Sequence, residues 1–181
     1  MKKFLYIATA VSVSIFVLFY ILFRITQNDV IQALYITFMT FSYHFIMRLI
    51  VGTITHPIFG KFYNYNSWWF SQKPFEQKIY KFLKVKNWKD NVPSWEQGAF
   101  SLKNDSLHNI AIGMCNAELV HEIIVILSFV PILFSIKYGV PAVFIFTSIL
   151  AGTFDMIFVI IQRYNRPRII KLMRKNVKSN L

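Results

Sequence analysis

The 181-residue chain is 55% hydrophobic, with a mean hydropathy of +0.45 and 19 Phe, 9 Tyr and 4 Trp. A soluble domain of this size has too little interior to hide that much apolar surface, so the composition is that of an integral membrane protein. The net charge of +12, from 20 Lys+Arg against 8 Asp+Glu, would suggest nucleic acid in a soluble chain; beside such apolar runs it points to anionic lipid or an anionic substrate, with no nucleic acid.

A bilayer-crossing helix takes about 20 mostly apolar residues. Four stretches qualify, at about 4–23, 30–55, 119–136 and 140–161. The first follows Lys2 and Lys3 and is a retained helix rather than a signal peptide, because its apolar run exceeds a usual signal core and "IATA" lies too early for cleavage. The second is expected to end before Pro57, since the residue preceding a proline disfavours the helical region. The third carries His121 and Glu122.

The basic residues set the orientation. Seventeen of the 20 lie before the first span, between the second and third, or after the fourth; Arg24, Arg48 and Lys137 are the exceptions. Both termini, a cytoplasmic interfacial region at 56–118 and a basic tail at 162–181 are therefore expected on the inner side of the cell membrane. No repeat or low-complexity tract interrupts the chain, which reads as a single multi-pass domain, all-α, with four transmembrane helices.

Between the second and third spans, "FYNYNSWWF" (62–70) is dense in rings that favour the headgroup level. In "FEQKIYKFLKVKNWK" that follows, Phe75, Ile79, Phe82 and Leu83 recur at helical spacing, and Lys78, Lys81 and Lys84 take another side. That is the pattern of an amphipathic helix lying in the interface on anionic lipid.

Ionisable side chains inside spans are costly and mark either helix packing or function. His44 and Arg48 share one face of the second span, with Asp155 of the fourth placed to neutralise one of them, a pairing read as helix packing. The third opens with "NAELVHE", where Glu118, His121 and Glu122 share a face. The fourth ends in "IIQRYNRPR", which puts Gln162, Arg163, Asn165, Arg166 and Arg168 at the same membrane depth. Pro167 is expected to end or bend that helix and hold two guanidiniums together for anion binding. A histidine next to a carboxylate can act as a general base toward a hydroxyl. His56 and His108 are read as non-catalytic. No zinc-protease pattern, P-loop, nucleophile elbow or glycine-rich nucleotide loop occurs, and the lone Cys115 excludes an internal disulfide framework and a thiolate cluster, so no metal is expected.

Three segments carry a family resemblance: "VKNWK" (85–89), "AELVH" (117–121) and "QRYNRPR" (162–168), the last the most specific. They resemble the glycosyl-4,4'-diaponeurosporenoate acyltransferases, small bacterial membrane enzymes of the staphyloxanthin pathway. The resemblance covers the second half of the chain. It implies transfer of a fatty acyl group to a sugar hydroxyl of a glycosylated carotenoid or related glycolipid. By motif it carries over Trp88, Lys89, Glu118, His121, Gln162, Arg163, Asn165, Arg166 and Arg168. The chain departs from the family pattern over 90–116 and at Glu122, where an aromatic is familiar, which leaves the acceptor open. It also lacks the H-x-x-x-x-D motif of glycerol-phosphate acyltransferases.

Acyl transfer needs a base for the hydroxyl and donors for the oxyanion. On this reading Glu118 holds His121 as the base, and Gln162 or Asn165 faces the oxyanion. Arg163, Arg166 and the interfacial lysines hold the phosphates of an acyl-CoA or acyl-carrier co-substrate, with no other cofactor. The partners are the bilayer, a lipid or glycolipid acceptor and the acyl donor. A non-enzymatic protein binding a partner or anionic lipid predicts instead a polar cluster that tolerates conservative exchange, and another small lipid-modifying transferase is a second alternative.

Overall fold

The computed structural model describes residues 2–92 and 105–179, and in it the chain is all-α, with no strand among those residues. Residues 93–104 of the expected interfacial region and 180–181 of the expected tail lie outside the described residues. The helices are α1 (Lys2–Thr26), α2 (Asp29–Phe59), α3 (Glu76–Phe82), α4 (Val85–Trp88), α5 (Leu107–Leu127), α6 (Ser135–Tyr138) and α7 (Pro141–Ser179). Among the described residues four segments are long and apolar enough to cross a membrane: Lys3–Thr26, Asp29–Phe59, Leu107–Tyr138 and Pro141–Asn176. The chain is an all-α membrane protein with four such helices and a helical segment between the second and third.

Four boundaries differ from those read from the apolar runs. Helix α2 keeps Pro57 inside its last turns and runs to Phe59. Helix α5 starts at Leu107 rather than near 119. There Ser106 caps it, its Oγ accepting from the Asn109 backbone N–H at 3.1 Å, while the Asn109 amide reaches Asp105 Oδ1 at 2.7 Å. The same helix stops at Leu127 rather than near 136; Pro131, four residues on, has no N–H to give and its ring crowds that carbonyl, so the chain continues as a 3-10 turn over Val130–Phe134. Helix α7 carries Pro167 in its interior and continues for 39 residues. At 1.5 Å per residue that is roughly 58 Å, about twice a bilayer's hydrocarbon thickness. The described part of the expected tail is thus an extension of α7, and Pro167 does not end the helix.

The described residues form two compact units: one from those within 54–122 and 156–179, the other from 2–53 with 123–155. In the second, Tyr35, Ile36 and Phe144 are buried under Phe16, Phe19, Phe23, Met39, Tyr138 and Val143. Phe19 stacks on Phe38 with ring centroids 5.8 Å apart. Gln27, in the left-handed region at φ 50°, turns the chain out of α1, and Asn28 caps α2 by accepting from the Val30 N–H at 2.9 Å. Gly139, at φ 67°, supplies the corresponding turn into α7. Gly152 lets the Phe129 ring lie close on α7, since a Cβ there would sit 3.2 Å from it. Tyr43 closes the end of α5 by donating to the Leu127 carbonyl at 2.9 Å. Arg48 pairs with the buried carboxylate of Asp155 and donates to the Ala151 carbonyl at 3.3 Å and the His44 carbonyl at 3.0 Å. Asp155 therefore neutralises Arg48, and the pair pins α2 to α7 within this unit, as helix packing requires of charges in an apolar setting.

Candidate functional site

The other unit has an aromatic base. Tyr63, Phe70 and Cys115 are buried together, with Tyr65, Ile112 and Leu119 packed against them. The Tyr63 hydroxyl donates to Asn116 Oδ1 at 2.6 Å, which ties the segment after α2 to α5.

Beside this base, polar side chains from the interiors of α5 and α7 meet. Glu118 is fully buried. Its Oε1 accepts from Arg163 Nη1 at 2.5 Å, and its Oε2 pairs with Arg166. Arg166, itself 1% exposed, also donates to the Phe70 carbonyl and lies over the Phe70 ring, 5.2 Å from its centroid. Arg163 spreads further. Its Nε and Nη2 converge on Glu76 Oε1 at 3.0 and 2.5 Å, while its Nη1 and Nη2 reach the carbonyls of Trp69 and Ser71 at 3.1 and 3.2 Å. The Trp69 indole N–H donates to Glu122 Oε2 at 2.9 Å. Two guanidiniums on one face of α7 thus gather two buried carboxylates and three consecutive backbone carbonyls, those of residues 69–71. The planar, five-donor fork of arginine suits such convergent binding, and lysine could not reproduce it.

Helix α3 joins through its inner face. Glu76 and Tyr80, one turn apart, are buried, and the Tyr80 hydroxyl donates to Glu76 Oε2 at 2.6 Å. Tyr80 also meets Tyr164 of α7 edge-on, with centroids 5.3 Å apart. Burial works to raise the Glu76 carboxyl, but the hydrogen bonds from Arg163 and Tyr80 and the charge of Arg163 outweigh it and leave the group below the usual carboxylate range. Burial, and the Glu76 carboxylate it bonds, push the Tyr80 hydroxyl up.

The depressed Glu76 gives a pH signature. A carboxyl whose folded pKa lies below its unfolded one stabilises the fold above the unfolded pKa and loses that contribution as pH falls through the folded value. Melting of the wild type and of Glu76→Gln in detergent should therefore differ most at neutral pH, and the gap should close as the medium is acidified below the ordinary carboxylate range. A gap independent of pH would show that the Glu76 charge contributes nothing.

Of the residues singled out from sequence, Glu118, Arg163 and Arg166 come together directly. Gln162 is buried one turn before Arg166, and its Oε1 finds no hydrogen-bond partner among the described residues; the same holds for Arg166 Nε. Asn165 is half-buried beside them. His121, half-buried on α5, stacks flat on Phe158 of α7 at a centroid distance of 4.6 Å. Arg168 turns to Tyr164, donating to its hydroxyl at 2.5 Å. Trp88 and Lys89 make local contacts instead: the Trp88 indole donates to the Leu83 carbonyl at 2.8 Å, and Lys89 pairs with Asp90. Arg163 and Arg166, expected to bind an anion, direct the Nε, Nη1 and Nη2 of the first and the Nη1 and Nη2 of the second to protein carboxylates and carbonyls. Sequence reasoning missed Glu76, Tyr80 and the carbonyls of 69–71. The signal for the first two was present: one acid amid lysines, four residues before a tyrosine, at the spacing of one helix face.

No curated protein and no solved structure matches the chain. A family model described as glycosyl-4,4'-diaponeurosporenoate acyltransferase matches residues 66–175. That stretch is more than half of the chain and contains every residue of the cluster from Trp69 to Arg166, so the chain belongs to the glycosyl-4,4'-diaponeurosporenoate acyltransferase family and is an acyltransferase of the carotenoid pathway.

Proposed function

We propose that this acyltransferase moves a fatty acyl group from an acyl-CoA or acyl-carrier thioester to a sugar hydroxyl of a glycosylated carotenoid or related glycolipid, at the cytoplasmic leaflet of the cell membrane. The observation that carries the reading is the family match, which encloses the whole buried polar cluster of one unit. The distribution of basic residues supports the leaflet, with both termini in the cytoplasm.

His121 is the base in this scheme. It takes the proton from the sugar hydroxyl as the hydroxyl oxygen attacks the thioester carbonyl. The tetrahedral intermediate then collapses with loss of the C–S bond, and the proton passes from the imidazolium to the leaving sulfur. Arg166 Nε is a donor with no hydrogen-bond partner among the described residues, which supports a role toward the oxyanion, while the unpartnered Gln162 Oε1, one turn before it on α7, is an acceptor suited to a substrate hydroxyl. Glu118 is a positioning residue: its two oxygens fix Arg163 and Arg166, and through them the stretch of α7 paired with His121's helix. Because those two arginines are already engaged, the donor's phosphates fall to the exposed basic residues further along α7, Arg168, Lys171, Arg174 and Lys175, and Trp88 and Lys89 contribute to substrate binding from α4 and the turn after it.

Sealed inverted membrane vesicles containing the chain, given membrane-impermeant acyl-CoA or acyl-carrier protein and a glycosylated carotenoid, should yield an acceptor heavier by one acyl group by mass spectrometry. Right-side-out vesicles should yield none. Product only in the latter would overturn the leaflet, and product in neither would overturn the reaction.

A further inference from the structure

Outside all four candidate spans lies a second apolar surface, with cations beside it. Helix α3 is pinned by Glu76 and Tyr80, yet its other residues face away from the protein: Phe75 is 60% exposed, Phe82 85%, and Ile79 and Leu83 are exposed as well. Trp68, 75% exposed, adds a ring just before the helix, with Lys73 Nζ 3.7 Å from its centroid. Lys78, Lys81, Lys84 and Lys86 are exposed along the same stretch. From residue 62 to residue 89 the one acidic residue is Glu76, which is buried and paired, so the outer surface of this segment carries positive charge alone.

We propose that residues 68–84 form a strap that docks on anionic phospholipid, held to α7 by Arg163 and Arg166. The strap is fastened at its start and at its middle: the carbonyls of 69–71 accept from the two arginines, and Glu76, which Tyr80 also bonds, accepts from Arg163. The occupant follows from the chemistry. Large, singly projecting aromatic rings flanked by lysines fit a headgroup layer, where rings sit at the interface and ammonium groups reach lipid phosphates. An acidic protein partner would satisfy the lysines but leave the Phe82 and Trp68 rings wet or would need a matching apolar groove. Each lysine near an anionic surface contributes roughly a fivefold preference, reduced by salt as screening shortens the reach of charge. The inference does not depend on the acyl-transfer proposal, since its test reads lipid contact and not turnover.

The chain is reconstituted in phosphatidylcholine bilayers holding a minor fraction of either brominated phosphatidylglycerol or brominated phosphatidylcholine. The fluorescence of Trp68, taken as the difference between wild type and Trp68→Phe, is then measured. Brominated phosphatidylglycerol is expected to quench it more strongly, with the excess lost at high salt and in the triple variant Lys78→Gln, Lys81→Gln, Lys84→Gln. Equal quenching by the two lipids, or an excess that survives the triple variant, overturns the proposal. A Trp68 that neither lipid quenches, as under an acidic protein partner, overturns it too.

Discussion

Glu118→Ala should cost about 3–5 kcal/mol of stability, the usual loss when one partner of a buried ion pair is removed. The reason is Arg166. Its guanidinium is buried and pairs with Glu118, so the substitution strands a desolvated charge that keeps neutral partners such as the Phe70 carbonyl but no carboxylate bonded to it. Arg163 suffers less, because Glu76 still holds it. Unfolding in detergent, followed by denaturant or heat, measures the loss. A paired variant, Glu118→Leu with Arg166→Met, removes both charges and should recover most of it, as apolar replacement of a whole buried pair often does. If Glu118→Ala melts like the wild type while its rate per folded molecule collapses, the carboxylate is catalytic rather than positioning.

The second large effect is kinetic. General-base assistance is worth about 10²–10⁴-fold, so His121→Ala should lose acyl transfer by about that factor in protein that still folds. The stacking of His121 on Phe158 provides a sharper variant. His121→Phe keeps an aromatic ring on Phe158 and removes both nitrogens, so it should melt close to wild type and be as slow as the alanine variant. Transfer per mole of folded protein, with the melting temperature recorded beside it, separates the roles. Full activity in His121→Phe would assign the residue to packing and end the general-base proposal.

What was legible in the sequence was whatever repeats locally. Four apolar runs announced four spans because bilayer crossing imposes a length on a single segment. The outward face of α3 was visible for the same reason: Phe75, Ile79 and Phe82 follow the helical period. The boundaries were less so. An apolar run reports where lipid ends, whereas a helix continues for as long as its backbone is satisfied, so α7 runs past Pro167 to Ser179 and α5 begins in the mixed "LHNIAIGMCN" at Leu107. The "DS" that caps α5 was the available sign. In the candidate site, the polar groups of α5 and α7 could be read, but not who pairs with whom. Arg163 meets Glu76 across 87 positions of sequence, and no periodicity encodes such a pairing. Glu118 sits one turn from His121 in sequence, which suggested a dyad, yet the arginines hold its two oxygens.

The partners chosen by Arg163 and Arg166 at residues 69–71 are main-chain oxygens, a group that every amino acid carries. This fastening is therefore blind to side-chain identity at one of its two ends. A mutational scan across Trp69, Phe70 and Ser71 would record the loss of an indole, a phenyl ring or a hydroxyl, and would leave the carbonyl grip intact in every variant. The same grip is fully exposed to substitution from α7. Tolerance to change should accordingly be lopsided, with the gripped segment free to drift wherever its rings are not packed, and the gripping helix confined to arginine.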